Sequence, residues 1–164
     1  MLYLKRSQLP GAGKGLFTDS EIPKGTEVVE YEGELVPWSV VEERSAKGEE
    51  GYAFYISERL SVDAYHTKWA MGRYANDAKG FGRVEGLRNN SQYIIKRKQG
   101  VRKVFIVASR TIKAGSEILV DYGSDYWKHL SKKPKSVTIV KRKEAPAKSK
   151  KSVKKTSVKK KVKK

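Results

Sequence analysis

The sequence predicts a mostly β domain assembled from several small sheets, followed by a basic tail of different character. Three observations carry that expectation. Short β-rich runs recur from Leu2 to Tyr122, punctuated by turns built on glycine, proline and asparagine. Only one stretch, Pro37 to Gly48, has the punctuation of a helix, with proline in its first turn and glycine at its end. The charge is also uneven. Residues 131–164 hold 16 of the 36 lysines and arginines and one of the 18 acids, and so carry fifteen of the eighteen net positive charges. Residues 1–130 are then a near-neutral module, of a length suited to a single core.

Taken in order, Leu2–Leu4 is a first short strand. Leu9–Phe17 (LPGAGKGLF) is a loop with Gly11, Gly13 and Gly15 at alternate positions. It is not a phosphate-cradling P-loop, because Gly15 and Leu16 follow Lys14 where a lysine–serine or lysine–threonine pair is needed. Two readings stay open for it: a plain turn, or a loop whose bare backbone lets a ligand approach closely. Asp19–Thr26 is a polar turn carrying Pro23 and Gly25. Val28–Val36 alternates as one strand. In the helix that follows and just beyond it, Glu42, Glu43, Glu49 and Glu50 form a solvated acidic face, which could also attract a basic substrate.

Tyr52–Ile56 and Leu60–Ala64 are two strands joined at Ser57–Arg59, with Tyr52, Phe54 and Tyr55 as default core residues. Lys68–Ala78 has no clean period and reads as a turn or short helix. Lys79–Asn90 is a loop by composition. Gln92–Lys98 and Val101–Ala108 form a hairpin about Gln99-Gly100. Thr111–Ser116 turns into Gly115–Trp127 (GSEILVDYGSDYW). There Glu117–Tyr122 is a buried strand stopped by Gly123, and Tyr122, Tyr126 and Trp127 are interleaved with Asp121 and Asp125.

Composition excludes several chemistries. With no cysteine the chain has no disulfide, no thiol catalysis and no cysteine-based metal site, and His66 and His129 alone do not make a histidine-rich one. No apolar run approaches the roughly 18 residues of a membrane span, and the one in Met1–Lys5 is too short for a signal peptide. The tail has no aromatic residue and almost no acid, so it is expected to be disordered when free. Its charge density suits phosphate neutralisation on nucleic acid. Anionic lipid is the poorer partner, for want of an apolar face.

Four pieces stand in a fixed order: GAGKGLF, YEGEL, GRYANDA and EILVDYGSDYW. Across residues 2 to 130 that order resembles the SET-domain protein lysine methyltransferases. GRYANDA is similar to the family's R-[FY]-x-N-H-S segment, and EILVDYG to its E-E-L-x-x-D-Y-G segment. The resemblance implies a β-clip fold in which these two segments pack as a pseudoknot. It also implies S-adenosylmethionine as methyl donor, with no metal. By that likeness the backbone at Lys14, Gly15 and Leu16 would hold the donor's methionine end. Arg73, Asn76 and Asp77 would lie beside it, and Tyr122 would be the catalytic tyrosine. Tyr31, Tyr52, Tyr55 and Tyr93 would be channel residues, and Tyr93 and Val120 the positions that tune methylation degree.

The chemistry asks for such residues. A free lysine amine has a pKa of about 10.4 and must lose a proton before it attacks a methyl group. A nearby sulfonium and an apolar channel both lower that pKa. Aromatic walls accept the aliphatic stem and favour a cationic centre. Three departures from the family pattern stand out. Asp77 occupies the place of the histidine, and Trp69-Ala70 that of a Gly-Asn pair. The absence of cysteine removes any zinc-bound closing segment, for which Tyr126 and Trp127 are the replacement lid.

The leading reading is a minimal methyltransferase acting on lysine of a histone or other basic chromatin or nucleoid protein, tethered to nucleic acid by residues 131–164 and able to modify its own tail. Two alternatives stand beside it: a nucleic-acid-binding protein whose SET-like domain is catalytically silent, and a methyltransferase of ribosomal or translation proteins. The expected location is nucleus and chromatin in a eukaryotic or viral setting, or cytoplasm and nucleoid in a bacterial one. Export to a host nucleus stays open.

Overall fold

The computed structural model describes residues 1–80, 82–124, 126 and 127. The described strands form three small antiparallel sheets. β1 (Leu2–Arg6) pairs with β2 (Lys14–Thr18). β8 (Val101–Ala108) lies between β3 (Glu27–Glu30) and β7 (Ser91–Lys98). β6 (Leu60–Asp63) lies between β4 (Glu34–Val36) and β5 (Ala53–Ser57). An α-helix, α1 (Trp38–Ala46), joins β4 to β5, and a short 3-10 helix, Met71–Tyr74, follows β6.

Two expectations need correction. The alternating run Val28–Val36 is two strands, because β3 joins β8 while β4 joins β6. The chain crosses between sheets at Tyr31–Gly33. There Gly33 runs so close to β6 that a Cβ on it would sit 2.6 Å from the Asp63 carbonyl oxygen, so only glycine fits. The second correction concerns Glu117–Val120, which is no regular strand of a sheet. It bridges antiparallel to Phe17, and parallel to Asn76 and to Ser91.

This seam is the threaded arrangement anticipated above. Ile118 N–H donates to Leu16 O and Val120 N–H to Asn76 O, both at 2.8 Å. Asn90 and Ser91 N–H both donate to Leu119 O at 2.9 Å. The Asn90 side chain imitates a neighbouring strand: its Oδ1 accepts from Leu119 N–H and its Nδ2 donates to Glu117 O. The backbone of the seam thus finds its partners far away in sequence. Leu16, Val104, Ile106, Ile118 and Val120 are fully buried around it and form the main core.

Smaller adjustments follow local rules. Pro37 is the N-cap of α1, in extended conformation, rather than its first helical residue. The glycine loop ends sooner than its composition suggests, since β2 begins at Lys14. The helix is fixed to the sheet by Arg44, which donates to Asp63 Oδ2 on β6 and to Glu34 Oε2 on β4, each at 2.6 Å. The expected domain boundary at residue 130 and the basic tail lie outside the described residues.

Candidate functional site

A narrow pocket of about 40 Å³ opens where β5, β7 and the end of the seam meet. That is space for roughly three waters. Its walls are Tyr31, Phe54, Tyr93, Tyr122 and Tyr126, with Gly51, Ala53 and Arg73 completing the lining. The rings brace one another. Tyr93 meets Tyr31 edge-on at 5.4 Å and Phe54 at 4.8 Å. Tyr122 meets Tyr126 edge-on at 4.8 Å and stacks on Trp127 at 5.9 Å, the two planes 10° apart.

Two of the four hydroxyls are committed. Tyr122 Oη donates to Ala75 O and Tyr31 Oη to Tyr52 O, each at 2.8 Å. Burial raises the Tyr93 and Tyr122 phenols well above their usual range, and raises Tyr31 and Tyr126 in the same direction. At neutral pH the pocket is therefore walled by uncharged rings. Phenols held protonated in this way are hydrogen-bonding groups and not bases.

Behind Tyr122 sits the buried carboxylate that the sequence places beside the donor, in the position of the family's histidine. Asp77, 4% exposed, accepts four hydrogen bonds. Lys79 N–H (2.8 Å) and Asn89 Nδ2 (2.7 Å) donate to its Oδ1. Tyr122 N–H (2.9 Å) and the Trp127 indole N–H (2.7 Å) donate to its Oδ2. A carboxylate accepts through both oxygens and an imidazole cannot, so the acid gathers donors from three segments. Trp127 is also seated against Gly80, where a Cβ would come within 2.6 Å of its ring.

A second buried acid, Glu117, 2% exposed, organises the glycine loop. It accepts from Ser7 Oγ (2.6 Å), Gln8 N–H (2.8 Å) and Asn76 Nδ2 (3.2 Å). Asn76 Nδ2 also donates to Lys14 O at 3.0 Å. Lys14, Gly15, Asn76 and Glu117 thereby form one cluster, joined through the chain at Asn76-Asp77 to the aromatic pocket. Arg73 lies against the Tyr52 ring at 4.0 Å and donates to Tyr65 O. Its Nε is buried and without a partner among the described residues.

Not every nominated residue converges. Tyr55 is 46% exposed, bonds to Glu58 and packs on Trp38, so it is no part of the pocket wall. Val120 and Leu16 are core residues whose backbones build the seam. Tyr52 stands behind Arg73 rather than in the lining. Gly51, Ala53 and Phe54 line the pocket without having been singled out as site residues. Asn89, Asn90 and Glu117 were also missed. The one available signal was an acid standing in an otherwise apolar run, at Glu117.

The SET domain model matches residues 13–123, which span the glycine loop, both acid hubs and Tyr122. The chain belongs to the SET-domain family. Among SET-domain relatives it is 31% identical over 123 residues to "N-lysine methyltransferase KMT5A-A" of Danio rerio, covering 70% of this chain and 33% of that protein. It is 29% identical over 130 residues to "Histone-lysine N-methyltransferase set-1" of Caenorhabditis elegans, covering 74% and 51%. The match therefore spans a third to a half of these relatives' length. Its fold is similar to a chain in an active polycomb repressive complex 2, with a TM-score of 0.61 and 28% identity, covering 76% of this chain and 15% of that one. The mostly β, multi-sheet expectation is the SET fold.

Proposed function

We propose that this chain transfers a methyl group from S-adenosylmethionine to a lysine amine of a histone or other basic chromatin or nucleoid protein. The observation that carries the reading is the narrow pocket of neutral aromatic rings ending at Tyr122, within the segment matched to the SET domain. Such walls suit a lysine stem and favour its cationic head as it gains a methyl group. The Tyr122 hydroxyl, anchored on Ala75 O, keeps a lone pair to orient the amine.

The residues present fit the donor. Arg73 Nε is an orphaned buried donor of the kind a carboxylate would satisfy. The backbone at Gly13 faces open space, with no atom within 4 Å of where a Cβ would stand. Lys14, Gly15, Leu16, Asn76 and Asp77 would hold the donor, with Trp127 as its cover. When bound, S-adenosylmethionine supplies an electrophilic methyl group on a sulfonium. Residues 131–164 would tether the protein to nucleic acid near basic substrates and offer their own lysines for modification, which suits a nuclear or nucleoid location.

One observation favours the silent-module alternative. Trp69 is 71% exposed and Ala70 is buried, so no polar side chain stands where the family pattern has asparagine. Labelled methyl transfer to histones, bacterial nucleoid proteins, ribosomal proteins and the protein itself decides between them. Wild type should label a basic protein, and Tyr122→Phe should lower the rate on the order of a hundred-fold. Undiminished transfer by Tyr122→Phe would remove that hydroxyl from the mechanism. Labelling of none of the four substrates would favour the silent module.

A further inference from the structure

We propose that the free end of the β7–β8 hairpin is a nucleic-acid contact in its own right, a two-stranded ribbon whose Arg97–Arg102 face meets the phosphate backbone of a duplex. The sheet is three strands wide only part of the way. β3 last pairs with β8 at Glu30 and Phe105, and Tyr31 N–H makes the final cross-strand bond to Val104 O. Beyond that point the hairpin projects alone by three paired positions, roughly 10 Å.

Five of those six residues are basic. The pairs are Lys96 with Lys103, Arg97 with Arg102, and Lys98 with Val101. The turn is tight, with φ of 51° at Gln99 and 78° at Gly100, the sign pattern of a type I′ hairpin. Two like-charged pairs facing each other each oppose pairing by a few tenths of a kcal/mol to about 1 kcal/mol. For the Arg97–Arg102 pair, which has no acid against it among the described residues, stability alone gives no reason.

The two faces are not equivalent. On one, Glu27 accepts from Lys96 (2.5 Å) and Lys98 (3.1 Å), and Glu30 accepts from Lys103 (3.1 Å). On the other, Arg97 and Arg102 are exposed, and neither forms an ion pair among the described residues. Glu32 lines the groove beside Arg102 without pairing to it. The result is a ribbon whose lysine face is paired with acids and whose arginine face is cationic and unpaired among the described residues.

The partner follows from that chemistry. Guanidinium pairs bind phosphate in a fork geometry, and a two-stranded ribbon has the width that a duplex major groove admits. At the tip, Gln99-Gly100, the adjoining Val101 is the one exposed apolar side chain of the three projecting pairs, too little to insert into a bilayer. This contact stands apart from residues 131–164 and does not depend on methyl transfer.

The test is titration of a short DNA duplex with the full-length chain by fluorescence anisotropy across a range of salt concentrations. Arg97→Gln/Arg102→Gln should weaken binding on the order of ten-fold at physiological salt and reduce the log–log salt slope by about 2. Its melting temperature should be unchanged or higher, since the facing charges are gone. The charge-matched pair Arg88→Gln/Arg110→Gln, on the groove beside Asp121, should leave the slope in place. An unchanged slope in the hairpin variant, or equal losses in both pairs, overturns the proposal. So does a loss confined to single-stranded DNA or to phosphatidylserine vesicles while duplex binding persists.

Discussion

Asp77 shows how much a single side chain can decide. Its carboxylate gathers donors 2, 12, 45 and 50 residues away, and two of them, Tyr122 N–H and the Trp127 indole, belong to the aromatic wall. Asp77→Asn keeps the size but turns an amine toward these donors. It should cost about 2–3 kcal/mol of stability. In a Trp38→Phe/Trp69→Phe background it should also shift Trp127 fluorescence to the red as the indole gains water. An unmoved spectrum would mean that Asp77 does not hold the ring. The pH dependence is set by the phenols. Burial raises the pKa values of Tyr93 and Tyr122, so both stay protonated through pH 10. Turnover should rise with pH as the substrate amine loses its proton, and any falling limb should lie above 10. A falling limb centred nearer 8 would contradict neutral walls. From the sequence, Asp77 read as a residue beside the donor standing in a histidine's place, and not as a hub, because three of its four donors are remote and no local pattern announces them.

Among the elements, those governed by local chemistry were legible and those governed by remote packing were not. Gln99-Gly100 between two β-rich runs predicted the hairpin, and both strands appear within a residue of expectation. Pro37 and Gly48 likewise bracket α1. Val28–Val36 read as one strand because alternation cannot register a change of sheet. What divides it is the approach of Gly33 to Asp63, thirty residues on. Tyr55 read as a channel residue because aromatic neighbours in one strand point to opposite faces, and sequence does not say which face is the pocket. The helix offers a test of its own. Arg44 is the cation that neutralises the buried Asp63 carboxylate, 3% exposed, so Arg44→Met strands a charge. Loss of about 2–4 kcal/mol is expected, read as a fall in the urea midpoint. Glu34→Gln, the exposed partner of the same guanidinium, should cost under about 1 kcal/mol.

For the molecule as a whole, the family and its sheets could be read from four short pieces in order, whereas the join between them could not. The glycine loop, Asn76 and Tyr122 become one site only through the seam at Glu117–Val120. If that site holds S-adenosylmethionine, the donor should raise the melting transition by linkage, about 2.7 kcal/mol at a hundred-fold excess over its dissociation constant. A transition unmoved by saturating donor would sink the donor-binding reading. The seam also sets an order of events during synthesis. Every segment it threads between, up to Ser91, leaves the ribosome before it does, since synthesis runs from the N-terminus. A nascent chain halted before Glu117 would own all eight described strands and yet lack Tyr122 and Tyr126, two of the five rings that wall the pocket, so the pocket is completed from the last described segment.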